Sequence, residues 1–195
     1  MIRIYLALVD IVPAAVVLVP LFFVFHFRRY RRNLNRSILS CLFCLYLSAV
    51  FALVGIPNVP YVRPDLNLNL IPFRGIWEDG KNSILNVALF IPLGMFLPVL
   101  WSRFRQAGAV VLYGLGFSLA IELLQMLTFR ATDVNDLITN GVGTLAGFFL
   151  VKPVFHRYLA VGKDSREAYL LSTLSFGVMF FVHPFLSPWI WDRLL

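Results

Sequence analysis

Apolar residues along this chain come in long unbroken runs, neither alternating nor gathered into narrow amphipathic stripes. Charge-free stretches extend from Ile11 to Phe27, Ser37 to Val62, Asn82 to Ser102, Gln106 to Ile121, Leu137 to Val151 and Ala168 to Trp191. About 20 apolar residues rising 1.5 Å each cross a hydrocarbon core of roughly 30 Å. The runs therefore predict six spanning helices over roughly 6–27, 37–56, 82–101, 108–129, 133–151 and 167–187. The fourth reaches Phe129 only if Glu122 is admitted inside it. A β-barrel would need period-two alternation between a lumen face and a lipid face, which these runs lack. The predicted fold class is all-α, a polytopic transmembrane helical bundle of about six spans.

Composition excludes the alternatives. Of 195 residues, 59% are hydrophobic and only 14% charged, too few to cover a water-soluble domain of this length. The hydrophobicity rules out disorder, and two cysteines cannot make a disulfide scaffold. The net charge of +7 acquires meaning from its placement. Eleven of the 17 Lys and Arg residues fall in the first, third and fifth connections, led by the cluster from Arg28 to Arg36, and six on the other side. The positive-inside rule then puts both termini outside the cytoplasm. The cluster reads as a topology anchor against anionic lipid, not as a nucleic-acid site. The first span is expected to be retained, since Asp10 interrupts the early apolar segment and no cleavable signal is evident. The longest connection, Pro57 to Lys81, is rich in Pro and Asn and predicts an extended outer loop that can re-enter near Leu70 to Ile76.

Polar groups enter the apolar segments in three places. Ser118, Glu122 and Gln125 lie at i, i+4 and i+7 on one face of the fourth helix, with Glu122 roughly 10 Å below a helix end at Phe129. A carboxyl at that depth must be neutral or held by a cation or several donors, and Arg130 is the nearest cation. In the fifth helix, Asp133, Asp136, Asn140, Gly143 and Gly147 fall on one stripe. Its glycines allow close approach, most simply against the fourth helix across the Thr128 to Thr132 turn. Taken alone, Asp133 can equally be an N-cap with Asp136 at N3, and Asn140 interhelical glue. The third place is Asn82 and Asn86 at the start of the third helix, followed by Pro92 and Pro98, which free the carbonyls of Ala88 and Gly94 and predict a kink.

Cys41 and Cys44 lie within an apolar helix, so packing is preferred over metal or redox work. His26, His156 and His183 are scattered and expected at the interfaces. There is no P-loop, G-x-S-x-G elbow or GxGxxG, so no cofactor is expected. A hard divalent cation held by the three acids is less economical than capping and pairing with Arg130.

These residues carry a resemblance. Asn69-Leu70-Ile71-Pro72-Phe73 resembles the N-L-x-P-F segment of the VanZ-like membrane proteins, and Asn86 to Gly94 resembles their N-x-x-x-F-x-P-x-G helix. Glu122 to Gln125, then Thr132 to Asn140 with Gly143 and Gly147, resembles their E-x-x-Q and T-D-x-x-D-x-x-x-N ending. Three motifs in order cover roughly residues 40 to 151. They imply a division into an additional N-terminal helix and basic loop (1–36), a family core of four helices (37–151) and a C-terminal loop and helix (152–195). The name-giving member is associated with resistance to teicoplanin, a lipoglycopeptide that binds the D-Ala-D-Ala ends of wall precursors. The resemblance thus implies a multi-pass protein of the bacterial cytoplasmic membrane acting at the cell envelope, without implying a reaction.

The leading expectation is an outward cavity lined by Asn69, Asn86, Glu122, Gln125, Arg130, Asp133, Asp136 and Asn140. It would bind or modify a membrane lipid, a lipid-linked envelope molecule or a lipoglycopeptide antibiotic. As an enzyme it would use Glu122 as general acid or base, Asp136 as its charged partner and Arg130 toward an anionic group. The alternatives are a small proton- or cation-coupled transporter and a structural assembly partner whose polar stripe only packs helices.

Overall fold

A computed structural model of the chain describes residues 2–29, 34–55, 68–69, 71–74, 80–127, 132–155 and 165–194. The helices are α1 (Ile2–Arg29), α2 (Leu34–Val54), α3 (Gly80–Leu100), α4 (Ala107–Gln125), α5 (Val134–Phe155), α6 (Arg166–Gly177) and α7 (His183–Leu194). Among the described residues, five helical stretches are long and apolar enough to cross a membrane: α2, α3, α4, α5, and α6 through α7 taken as one. The shorter apolar stretch Ile11–Val24 lies within α1. The all-α, multi-span reading holds.

One compact unit comprises α1, α2, α6 and α7. In α1, Ala14, Leu18 and Phe22 recur every four residues and are buried where it packs on α2. The face of α2 toward α6 is lined by small and polar groups. Ser48 Oγ and Ser175 Oγ both donate to the Cys44 carbonyl, at 3.0 and 3.4 Å, and Phe51 meets Phe176 edge-on at 6.0 Å. At the end of this seam Arg36 Nη2 pairs with Glu167 Oε2. Cys41 and Cys44 are free thiols, and Cys44 is buried in the seam. The sixth span is longer than the sequence predicts and not a single regular helix. A π-helical turn over Val178–Val182 joins α6 to α7, and the His183 N–H reaches back five residues to the Val178 carbonyl. Pro184, which has no N–H to give, follows at once, and a widened turn accommodates it. His183, expected at an interface, is buried instead, while the side chain of His26 and all of His156 lie outside the described residues.

The other compact unit holds α3, α4 and α5. A 3-10 turn, Ser102–Arg105, reverses the chain between α3 and α4. Trp101, Phe104 and Tyr113 stack edge-on around it and are all buried. α3 continues through both Pro92 and Pro98. Two corrections to the sequence reading concern this unit. First, α4 stops at Gln125 rather than Phe129, because the Met126 N–H turns back to the Glu122 and Leu124 carbonyls and Leu127 closes a tighter turn on Leu124. Glu122 therefore sits in the last turn, about 4.5 Å from the helix end. Second, Gly143 and Gly147 of α5 face α3, not α4, whereas Gly141 lies against Leu115 of α4. A methyl group on Gly143 would overlap the Val87 carbonyl, one on Gly147 the Ile91 carbonyl, and one on Gly94 of α3 the Thr144 carbonyl. Toward α4 the close approach is made by Gly114, against the Thr144 side chain. Since each reversal is short, α3 and α5 begin at the end where α4 finishes. There Leu68–Asn69 (β1) and Thr132–Asp133 (β2) pair in parallel, Leu68 opposite Thr132 and Asn69 opposite Asp133.

Candidate functional site

Each carboxylate at this end is placed by backbone geometry. Asp133 immediately precedes α5, and its Oδ1 accepts the Asn135 N–H at 2.8 Å, the bond by which an N-cap satisfies an orphan donor. The capping account of Asp133 is thus realised. Its other oxygen is also engaged, since Asn69 Nδ2 donates to Oδ2 at 3.0 Å, an approach fixed by the β1–β2 register. The Asp133 N–H in turn donates to Glu122 Oε2 at 3.1 Å. Glu122 is only 1% exposed although it is the one charged residue of its helix. One turn into α5, Asp136 Oδ1 accepts Asn86 Nδ2 of α3 at 2.7 Å, a contact that glycine-mediated packing of α3 on α5 permits.

Charge at this end has a physical counterweight. Two helix N-termini, those of α3 and α5, direct their positive dipole ends here, which favours carboxylates. The sequence reading assigned that task to Arg130, which lies outside the described residues. Among the described residues no group of three or more His, Cys, Asp or Glu side chains stands at metal-ligating spacing.

Below the carboxylates the polar stripe continues and ends. Asn140 Nδ2 donates to Ser118 Oγ at 2.8 Å across the α4–α5 contact, and both residues are buried. Asn140 Oδ1 is buried without a donor. The Ser118 hydroxyl can give or take a hydrogen bond, so rotating the amide would only exchange which end is unpaired. One turn further in, Thr144 returns its hydroxyl to the Asn140 carbonyl at 2.8 Å and packs against Gly114. That contact floors the stripe. Gln125 is buried at the end of α4. Of the residues singled out from sequence, the structure joins Asn69, Glu122 and Asp133 in one bonded chain, pairs Asn86 with Asp136, and sets Asn140 with Ser118 beneath them.

Asn135 was missed. It is 4% exposed and clasps the turn ahead of α3 from both sides: its Oδ1 accepts the Phe73 N–H at 2.6 Å, and its Nδ2 donates to the Arg74 carbonyl at 2.9 Å. Helical spacing hides it, because at 100° per residue Asn135 falls off the Asp133–Asp136–Asn140 stripe. No local signal marks it, since its partners Phe73 and Arg74 precede α3, two helices earlier in the chain.

Comparison with known proteins now identifies the fold's lineage. The family model described as VanZ/LLP1 matches residues 43–156, more than half of the chain. The chain belongs to the VanZ/LLP1 family. It is also similar to Protein VanZ of Enterococcus faecium, 37% identical over 87 residues, which are 43% of this chain and 52% of that protein. The chain thus spans about half the length of the curated relative it matches. No solved structure matches it. The family region contains α3, α4 and α5 entire, together with Asn69, Asn86, Glu122 and every named residue of α5.

Proposed function

We propose that this family member is a multi-pass protein of the bacterial cytoplasmic membrane, with both termini outside. Its acid and amide cluster faces outward and binds or modifies an amphipathic envelope molecule. That molecule is a membrane lipid, a lipid-linked wall precursor, or a lipoglycopeptide such as teicoplanin. The observation that carries the reading is Glu122, a carboxyl 1% exposed in an apolar helix. It is tied through Asp133 to Asn69 and accompanied by the Asn86–Asp136 pair. Packing three apolar helices requires no such carboxyl. The buried Asn140 Oδ1 that lacks a donor supports the same reading, since a hydroxyl or amine entering along the stripe would relieve the cost of about 1–3 kcal/mol of leaving it unmet. In a modifying version Glu122 exchanges the proton and Asp136 balances the charge. The envelope and antibiotic context rests on the family resemblance.

The test is susceptibility to teicoplanin and vancomycin in a sensitive Gram-positive host expressing wild type, Glu122→Gln or Asp136→Asn, with membrane levels measured. Protection by wild type alone at equal levels is expected. Equal protection by all three would refute the site. If wild type does not protect, the antibiotic is removed as ligand and lipids remain. A second reading, a structural partner, is favoured by the way Asp133 caps α5 and amides pair with the acids. Its mark is that both substitutions reduce the amount of folded protein in step with any loss of protection.

A further inference from the structure

The turn that Asn135 clasps presents side chains that the cluster itself does not use. Ile71 is 54% exposed and Phe73 64% exposed, and Pro72 and Arg74 beside them are exposed as well. The turn is closed by the Arg74 N–H on the Ile71 carbonyl at 3.4 Å. Phe73 has φ 64°, a left-handed conformation that glycine adopts freely and bulky L residues rarely do. If this position served only to reverse the chain, glycine would do so without strain. Here an aromatic residue is held in the strained conformation by a buried amide, and its ring is left uncovered. The geometry therefore gives the ring an outward task.

The setting narrows what it meets. The turn lies at the end of the unit where α3 and α5 begin, which is where membrane-spanning helices meet the headgroup layer. At that depth an exposed Ile-Pro-Phe is matched by hydrocarbon just below and a guanidinium by phosphate just above. The carboxylates of the cluster repel an anion, so a phosphate must be met away from them. Arg74, whose carbonyl is anchored by Asn135, offers that place, while hydroxyl or amine donors of the same headgroup suit the acids and amides.

We propose that Ile71–Arg74 is the lipid-facing arm of the site and seats a phosphate-bearing amphiphile at its phosphate–hydrocarbon boundary, with Asn135 as the positioning residue. This rests on reading the acid and amide cluster as a ligand site, and it names the ligand's class.

The experiment uses the full chain in detergent, titrated with phosphatidylglycerol or phosphatidylcholine and read by native mass spectrometry, with thermal midpoints measured in parallel. Wild type should retain phosphatidylglycerol in preference to phosphatidylcholine, and inorganic phosphate should not displace it. Phe73→Gly removes the ring while easing the backbone. It should weaken phosphatidylglycerol binding about tenfold, the scale expected for one partly buried aromatic ring, with the midpoint unchanged or raised. Arg74→Gln should weaken binding of both lipids, since both carry the phosphate it meets. Wild-type binding by both variants would overturn the proposal, and so would a Phe73→Gly midpoint that falls together with binding. Displacement by inorganic phosphate would overturn the apolar half. The parent reading is judged separately. If Phe73→Gly loses lipid while Glu122→Gln and Asp136→Asn protect cells like wild type, the arm stands and the cluster's role fails. The reverse pattern spares the cluster and removes the arm.

Discussion

Replacing Gly147 by alanine should separate α3 from α5. The added methyl would meet the Ile91 carbonyl oxygen and carbon and the Gly94 Cα, all of them backbone, so no side chain can rotate away. Overpacking a tight interface costs about 1–3 kcal/mol, and forfeiting Cα–H···O contacts at a helix crossing adds about 0.5–1 kcal/mol each. The better helix propensity of alanine returns up to about 1 kcal/mol. A net loss of about 2 kcal/mol corresponds to roughly 4–8 °C for a chain of this size. Gly116→Ala is the matched control, because a methyl there meets nothing within 4 Å and should leave the melting temperature unchanged or slightly raised. Both are read by fluorescence-monitored unfolding of purified protein in detergent. Gly147→Ala as stable as Gly116→Ala would refute the glycine-mediated α3–α5 contact. It would also undercut the approach of Asn86 to Asp136 that depends on it.

Asn86→Ala and Asp136→Ala, singly and together, should show a coupling energy of about 1–2 kcal/mol in unfolding, as a bond to a charged group warrants; strict additivity would mean the 2.7 Å contact contributes nothing. Glu167→Gln should lower the melting temperature by several degrees, about 1–3 kcal/mol, for an ion pair whose side chains are 12% and 15% exposed. The double exchange Arg36→Glu with Glu167→Arg should recover part of that loss, and a single variant as stable as wild type would show that the pair is idle.

The helices were legible because unbroken apolar runs are a strong signal over 20 residues, and Glu122 was legible because a carboxyl within such a run needs a reason. The end of α4 was not, since Met126, Leu127 and Phe129 are apolar and continue the run while the chain leaves the helix to pair with β1. The helix that Gly143 and Gly147 meet was misread for a related reason. Spacing tells which residues share a face, not which neighbour that face meets, and the nearest helix in sequence was taken as the neighbour. Asn135 and the Phe73 turn depend on a loop reaching a helix across some 60 residues, and periodicity carries no trace of such a contact. His183 belongs to no motif and is expected at an interface, whereas in the structure it is buried at the end of a π turn ahead of Pro184.

The parallel pairing of Leu68 with Thr132 and Asn69 with Asp133 has a consequence for biogenesis. The strand made first waits for its partner until α3 and α4 have been synthesised and have entered the bilayer, and the cap on α5 forms only as that helix follows. Insertion of the helices and completion of the cluster are thus separate events in time. Chains stalled after the fourth helix would carry Glu122 without the Asp133 N–H that it accepts.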